Sequence, residues 1–289
     1  RLNFGLAAER ARAFGLKVQM VIVDDDVALP DLPQARGVAG TLFVHKIAGA
    51  LAEAGADLQA VAEAAERVIA RAVTIGMSLD TCTVPGSPRE DRIEDGKAEL
   101  GLGIHGEAGI EQVDFTGARA AMAMVVDRLR PHLAPGGHVA LLNNLGGATP
   151  LEMCVLAEEL ARSDIGPRVP WIVGPAALMT SLDMHGFSLS LLPATQAEVA
   201  ALSAPAAPHA WPGLAGFGAV RVLPMPDGLT PIQPMPSAHP ANRALIEACC
   251  GLLIAAERDL NLLDAKSGDG DTGSTLAGAA RALAGALDR

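Results

Sequence analysis

Short apolar runs alternate with stretches of helical spacing along roughly the first 200 residues. Residues 17–23 and 138–144 are short apolar runs of the kind that buried strands show. Residues 36–54 instead place apolar side chains three and four positions apart, which is typical of a helix that covers a core. This alternation predicts an α/β fold in which helices cover a buried sheet.

Polar residues next to these segments predict where helices begin. Asp57 is expected to cap a helix that runs to about Ile75, because its carboxylate can accept hydrogen bonds from the first turn. Thr149 followed by Pro150 is typical of a helix start. Further strands are expected at residues 97–104, 169–173 and 187–192.

The pattern changes after residue 204. Prolines recur and periodicity fades, apart from an expected short strand at residues 219–223. Helical spacing returns near residue 241, and two helices with one loop bury little core. We therefore predict three parts: an α/β domain over residues 1–208, a proline-rich linker over 209–239, and the start of a longer helical domain over 240–289.

Charge and composition narrow the classes of protein. The chain has 22 lysines and arginines against 33 aspartates and glutamates, which disfavours a nucleic-acid partner because phosphates require clustered basic residues. None of the four cysteines forms a CxxC pair, which favours a reducing cytoplasm. Neither an apolar run long enough to span a membrane nor a leader is expected.

The segment LDAKSGDGDTGST at residues 263–275 is the most informative. It holds three carboxylates, Asp264, Asp269 and Asp271, among glycines that let the backbone fold tightly. Mg²⁺ prefers oxygen ligands and shares them with nucleotide phosphates. The free N–H groups at the start of the next helix suit a phosphate. We interpret the segment as a metal and phosphate site, and an acidic surface turn is the alternative.

A second segment, LGLGIHGEAG at residues 100–109, follows a predicted strand. Gly101, Gly103 and Gly106 match G-x-G-x-x-G, but no apolar helix follows directly, which disfavours a dinucleotide site. His105 lies between glycines, so its imidazole is sterically open and can attack a carbonyl carbon. A structural loop histidine is the alternative.

These two segments together resemble the dihydroxyacetone kinase family. The similarity runs along nearly the whole chain, through RLNFGLAAERAR at 1–12, VDDDVALP at 23–30, RGVAGTLFVHKIAGALAEAGA at 36–56, TCTVPG at 81–86, LLNNLGGATPLEM at 141–153 and MTSLDMHGFSLSLL at 179–192.

The resemblance implies an α/β ketose-binding domain followed by an all-α nucleotide-binding barrel. It also implies phosphorylation of dihydroxyacetone to dihydroxyacetone phosphate by ATP. His105 occupies the position of the family's covalent histidine, which holds the ketose as a hemiaminal on its C2 carbonyl. The resemblance is to the single-chain, ATP-dependent form, and we expect a homodimer.

The resemblance also assigns the cofactor residues. Asp264, Asp269 and Asp271 match carboxylates that hold two Mg²⁺ ions on the nucleotide phosphates. The adjacent turn matches residues that contact phosphate: Thr272, Gly273, Ser274 and Thr275.

The sequence also departs from the family. There, a Gly-Asp pair precedes the RLNFG motif and supplies the expected general base, and a second histidine lies further upstream. We therefore expect a piece of a larger enzyme, truncated at both ends and with little turnover. The alternatives are a kinase for another short ketose such as erythrulose, or a non-catalytic ketose-binding or regulatory module. Asp24–Asp26 are expected to form a solvated turn, and a polar loop near the cleft is the alternative; His185 is expected to be a neutral variation.

Overall fold

The structure is a computed structural model that describes residues 2–29, 36–88, 90–105, 107–228 and 239–287. The chain divides into two compact units, Arg1–Arg221 and Val222–Arg289. The domain and linker boundaries given above stay predictions.

Within its described residues, the first unit is built on a seven-stranded mixed sheet. In chain order the strands are β1 (Val73–Ser78), β2 (Lys97–Leu100), β3 (Glu111–Asp114), β4 (His138–Asn144), β5 (Trp171–Ala176), β6 (Gly186–Pro193) and β7 (Leu214–Gly216). Their order across the sheet is β3-β2-β1-β6-β4-β5-β7. The β4–β5 pair is parallel, and the other neighbouring pairs are antiparallel.

Both units contain helices. The first unit contains α1 (Leu2–Ala13), α2 (Thr41–Glu53), α3 (Leu58–Ile69), α4 (Ala118–Leu129), α5 (Pro150–Arg162) and α6 (Gln196–Ser203). The second contains α7 (Pro240–Ala255), α8 (Glu257–Asp264) and α9 (Thr272–Ala284). Within the described ranges, no helix combines the length and apolar character that a membrane crossing requires.

The central strands β1, β6 and β4 are buried on both faces of the sheet. Leu142 of β4 belongs to a core that includes side chains of α4 and α5, whereas its neighbour Leu141 belongs to a second core with side chains of α2, α3 and α6. Successive residues of a strand point to opposite faces, so one strand contributes to both cores. The α/β class predicted for this unit is therefore confirmed, with helices on each side of the sheet.

Two predicted helix starts are confirmed by their caps. The Asp57 side chain accepts a hydrogen bond from the Ala60 N–H at the start of α3. Thr149 and Glu152 form a reciprocal capping box at the start of α5, where each side chain bonds the main chain of the other residue.

The helix expected to run to Ile75 ends earlier. The helix α3 stops at Ile69, and Val73–Ser78 forms β1. All six residues of β1 align with β6, so the sheet satisfies main-chain groups that a longer helix would have paired internally. An alanine-rich helix and a buried strand follow each other here without a glycine or proline to mark the boundary.

Three strand predictions also need correction. Residues 17–23 form no strand, since the described residues place no partner strand beside them. The strand expected over 97–104 ends at Leu100, because Gly101 takes a left-handed φ of 70° and turns the chain. The short strand expected at 219–223 is instead at Leu214–Gly216, where it pairs with β5.

The second unit buries little apolar surface among its described residues. The helices α7 and α8 both pack against α9, and Cys250, Ala277 and Ala280 are buried there. Several large side chains remain half-exposed or more: Leu245, Leu252, Leu262, Leu263 and Leu283.

His138, at the start of β4, makes the folding free energy sensitive to pH. Its side chain is buried, and neither ring nitrogen makes a hydrogen bond of standard geometry with the described residues. Burial, and then the charge of Arg168, lowers the pKa of this imidazole below its ordinary 6.5, and a contact with the Gly136 main chain opposes the shift without reversing it. The unfolded chain therefore binds this proton more readily than the folded chain.

We expect the free energy of unfolding to fall as the pH drops below 6.5, the ordinary value for this imidazole, by at most about 1.4 kcal/mol per pH unit from this group. Urea unfolding at several pH values measures it. His138→Phe should remove this part of the slope, whereas His132→Gln, at an exposed histidine, should retain it. Equal slopes in the wild type and His138→Phe would show that the buried imidazole does not cause the effect.

Candidate functional site

The loop that carries His105 is closed at its base by main-chain hydrogen bonds. The Gly101 N–H donates to the Gly76 carbonyl over 2.7 Å, and the Ile110 N–H donates to the Leu100 carbonyl over 2.9 Å. A side chain at Gly101 would collide with Ala28 and would also require an unfavourable left-handed φ. Both ends of the loop are therefore held at the end of β2.

Two side chains from distant parts of the sequence hold the loop from outside. The Arg36 guanidinium donates to the Gly101 carbonyl and to the Asp26 carboxylate, each over 2.7 Å. The Ser181 hydroxyl donates to the Ile104 carbonyl, directly before His105. These contacts restrain the backbone that positions the imidazole.

Asp25 and Asp26 are buried, so the solvated turn expected for them is wrong; Asp24 alone of the three is exposed. Asp25 accepts hydrogen bonds from the Val38 and Gly40 N–H groups, each over 2.7 Å. Burial raises the pKa of both carboxyl groups, and hydrogen bonds oppose that rise. The main chain and Arg36 satisfy these carboxylates in place of water.

His105 combines a restrained main chain with an exposed ring. Its side chain is 78% exposed, and Nδ1 lies 3.2 Å from Oε1 of Glu107. The His105 main-chain N–H donates to Oε2 of the same carboxylate over 2.9 Å. Among the described residues, Nε2 has no hydrogen-bond partner.

Gly103 allows this close approach. A Cβ atom at Gly103 would collide with the Glu107 carboxylate and crowd Arg36. Burial raises the pKa of the Glu107 carboxyl, but the hydrogen bonds from its own N–H and from His105 together outweigh burial and lower it. Gly106 lies outside the described residues, and β2 is followed by a loop and β3 rather than by the helix of a dinucleotide site.

The three predicted metal ligands do come together. Candidate ligand oxygens of Asp264, Asp269 and Asp271 all lie within 4.8 Å of one another. Oδ2 of Asp264 accepts hydrogen bonds from the Gly270 and Asp271 N–H groups, over 2.9 and 3.1 Å. Asp264 thus folds the loop back so that the other two carboxylates converge on it.

The charges at this cluster favour a cation. The neighbouring charge of Asp269 is the largest cause that raises the pKa of the Asp271 carboxyl. Main-chain N–H groups, that of Thr272 first, lower the pKa of Asp264 and keep it ionised. A divalent cation would relieve the repulsion between these carboxylates, so their oxygens suit Mg²⁺.

The predicted phosphate turn forms the start of α9, next to this cluster. The Ser274 N–H donates to Oδ1 of Asn261, and the Asn261 side-chain amide donates to the Ser274 hydroxyl, each over 3.0 Å. Thr275 donates its N–H to the Asp271 carbonyl. Gly273 is buried, and a Cβ there would collide with the Glu257 carbonyl. Asn261 therefore occupies the Ser274 groups that a phosphate would use.

Sequence reasoning missed three residues that shape these sites, Arg36, Glu107 and Asn261, and it placed a fourth, Asp26, in a solvated turn. Two of them carried a local signal, because Glu107 lies two residues after His105 and Asn261 one helical turn before Asp264. The pairing of Asp26 with Arg36, and of Arg36 with a carbonyl 65 residues away, left no local signal. His185 contacts Glu152 at the start of α5 through Nε2, over 3.1 Å, so it has a partner that its position did not suggest.

Replacing Arg36 by Gln should destabilise the first unit and loosen the His105 loop. The substitution leaves the buried Asp26 carboxylate without its ion pair, which costs about 3 kcal/mol. Urea unfolding measures the loss, and hydrogen exchange should show faster exchange of the Ile110 amide. Arg119→Gln breaks an exposed ion pair with Glu159 and should cost less than about 1 kcal/mol. An Arg36 variant no less stable than the Arg119 control would contradict this account.

Comparisons with known proteins place the chain in a family. Residues 1–210 match the Dak1 domain. A dihydroxyacetone kinase from Citrobacter freundii is 40% identical over 291 residues, which span 100% of this chain and 53% of the relative. A triokinase/FMN cyclase from Homo sapiens is 38% identical over 304 residues, which span 98% of this chain and 52% of the relative.

Solved structures that are similar to this chain indicate the same family. The crystal structure of the C. freundii dihydroxyacetone kinase with AMP-PNP and Mg²⁺ aligns with a TM-score of 0.76 at 40% identity, covering 100% of this chain and 54% of that one. A dihydroxyacetone kinase operon co-activator, Dha-DhaQ, aligns with a TM-score of 0.65 at 27% identity, covering 70% of this chain and 65% of that one. The chain spans about half the length of the curated relatives it matches. It belongs to the dihydroxyacetone kinase family, with a Dak1 domain over residues 1–210.

Proposed function

We propose that this chain serves the ATP-dependent phosphorylation of dihydroxyacetone to dihydroxyacetone phosphate and holds the ketose as a hemiaminal on His105. The observation that carries this proposal is the exposed imidazole, which has one nitrogen without a partner among the described residues and stands on a restrained loop. A nucleophile needs such an open, oriented lone pair. Similarity to dihydroxyacetone kinases supports dihydroxyacetone as the ketose.

The proposed capture step follows from the chemistry of imidazole. An unprotonated ring nitrogen donates its lone pair to the C2 carbonyl carbon, and a C–N bond forms while the C=O π bond breaks. The oxygen takes a proton from water, and the ring gives one up to a neighbouring base, so the product is a neutral hemiaminal. Glycerol has no carbonyl group and cannot react, and a captured ketose is held in place for phosphoryl transfer.

For the nucleotide, we propose that the second unit begins an all-α nucleotide-binding domain over residues 240–289, after a linker over 209–239 and a ketose-binding domain over 1–208. Mg²⁺ would be held by Asp264, Asp269 and Asp271. Its positive charge would offset the negative charge of the ATP phosphates. The similar structure solved with AMP-PNP and Mg²⁺ supports this cofactor pair.

The turn that follows would contact phosphate. The residues concerned are Thr272, Gly273, Ser274 and Thr275. Since Asn261 occupies both the N–H and the hydroxyl of Ser274, a phosphate at Ser274 requires Asn261 to release them. We further propose that this chain alone turns over slowly, because its described helical residues leave large apolar side chains uncovered. A homodimer and a cytoplasmic location stay predictions.

A second candidate is a ketose-binding regulatory module without phosphoryl transfer. The similarity to an operon co-activator supports it, since that structure aligns with 70% of this chain. Both candidates require capture at His105, but only the kinase consumes ATP. ATP consumption above the ketose-free background in a coupled assay with dihydroxyacetone or with erythrulose would support the kinase and identify its ketose, because the regulatory module consumes no ATP.

Capture at His105 predicts a direct bond between the ketose and the ring. In a chain with ¹⁵N-labelled histidine, added [2-¹³C]dihydroxyacetone should produce a one-bond ¹³C–¹⁵N coupling in the NMR spectrum. His105→Asn should abolish the coupling, whereas His132→Gln, at another exposed histidine, should retain it. Absence of the coupling in the wild type at saturating ketose would rule out the covalent site.

The carboxylate cluster predicts a cation site that can be measured without nucleotide. Mn²⁺, a paramagnetic substitute for Mg²⁺, should broaden the amide signals of residues 264–275 selectively. Asp269→Asn and Asp271→Asn should each weaken this effect by about tenfold or more, because each removes a charged ligand. Asp259→Asn, at an exposed aspartate of α8 outside the cluster, should leave it unchanged. Broadening that is unchanged in Asp269→Asn and Asp271→Asn would contradict the assignment of these carboxylates as cation ligands.

A further inference from the structure

We propose that Glu107 is the positioning residue of His105: its carboxylate keeps the proton on Nδ1 and leaves the Nε2 lone pair free to bind the ketose carbonyl carbon. This inference rests on the proposed function, because it specifies how the same histidine becomes a nucleophile. It names the residue that selects the reacting nitrogen.

The geometry joins one carboxylate to His105 at two points. Oε2 of Glu107 accepts the His105 main-chain N–H over 2.9 Å, and Oε1 lies 3.2 Å from Nδ1. The Gly103 N–H in turn donates to the Glu107 main-chain carbonyl over 3.1 Å, which fixes Glu107 from its other side. Three main-chain and side-chain contacts thus orient the carboxylate toward Nδ1.

The glycine at position 103 makes room for this arrangement. Any Cβ atom there would occupy the place of a Glu107 carboxylate oxygen, so a larger residue would push the carboxylate away from the imidazole. The turn at Gly101, with its left-handed φ, delivers Gly103 to this place. Gly101 and Gly103 therefore make the carboxylate contact possible.

An ionised carboxylate selects the tautomer of a neutral imidazole. It can only accept hydrogen bonds, so the nitrogen facing it must carry the hydrogen. The hydrogen bonds that lower the pKa of Glu107 keep it ionised. Nδ1 therefore donates, and Nε2, which has no partner among the described residues, keeps its lone pair.

The same carboxylate assists as the bond forms. When Nε2 bonds to the carbonyl carbon, positive charge develops on the ring, and Glu107 stabilises it across the Nδ1–H hydrogen bond. The Nδ1 proton then moves along this hydrogen bond to the Glu107 carboxylate, which donates it back to the Nδ1 lone pair, and the former carbonyl oxygen takes a proton from water. The oxygen thus gains one proton and the ring loses one to Glu107, while the hydroxide left by the water balances the charge that Glu107 loses.

The tautomer can be measured without any ketose. Two-bond ¹H–¹⁵N NMR spectra of the histidine-labelled chain distinguish Nδ1–H from Nε2–H. We expect Nδ1–H at His105 in the wild type and a shift toward Nε2–H in Glu107→Gln. The control Glu158→Gln removes a carboxylate that contacts Arg162 on α5 and should leave His105 unchanged. An Nε2–H form in the wild type, or the same tautomer in Glu107→Gln, would overturn the positioning role.

Capture kinetics provide the second readout. The rate of hemiaminal formation should fall about a hundredfold in Glu107→Gln. This is less than the loss of about 10⁴ for a buried carboxylate that orients a catalytic histidine, because Glu107 is partly exposed. Glu107→Asp keeps the charge and should recover part of the rate. Because the Glu107 side chain is 47% exposed, both variants should keep the wild-type melting temperature.

These outcomes separate the two proposals. If the wild type forms no bond to the ketose, the covalent function fails, and the tautomer experiment still decides whether Glu107 orients the ring. If the wild type and Glu107→Gln form the bond at equal rates, the positioning role is wrong while capture at His105 stands.

Discussion

Asp25 and Asp26 are adjacent carboxylates that the fold buries beside the first residues of β1. A buried carboxylate is tolerated only when hydrogen bonds or an ion pair replace the water it loses. Asp25 takes its partners from the main chain just before α2, which ties that helix to the sheet. Asp26 takes Arg36, and Arg36 also holds the Gly101 carbonyl. The geometry of the histidine loop therefore depends on how the fold satisfies this buried pair of charges.

The loop itself combines two properties that usually conflict. Its backbone is restrained by Arg36, by Ser181 and by the hydrogen bonds at its base, whereas the His105 ring that it carries is exposed. Restraint lowers the entropy lost when a substrate is positioned, and exposure leaves room for that substrate. The Glu107 carboxylate contacts one ring nitrogen and leaves the other uncovered among the described residues, which is the arrangement that the proposed nucleophile requires.

In the carboxylate cluster of the second unit, as at Asp25 and Asp26, hydrogen bonds from the main chain to a carboxylate shape a loop. One carboxylate oxygen of Asp264 accepts hydrogen bonds from several main-chain N–H groups, and these bonds shape the loop. Asp269 and Asp271 are left exposed and close to each other, so their mutual repulsion is not relieved by the protein. Asp264 thus accepts hydrogen bonds from the main chain, and the loop that this forms brings Asp269 and Asp271 into an arrangement that suits a cation.

Residue type and short-range spacing were enough to identify the α/β class and the capped starts of α3 and α5, and to single out His105 and the aspartate loop as candidate sites. These features depend on neighbours within a few positions, which the sequence displays directly. The boundary between α3 and β1, the burial of Asp26 and its pairing with Arg36 were decided by the tertiary structure alone. Sheet pairing and desolvation involve residues far apart in the chain, so the free energies that settle them arise only when the fold brings those residues together.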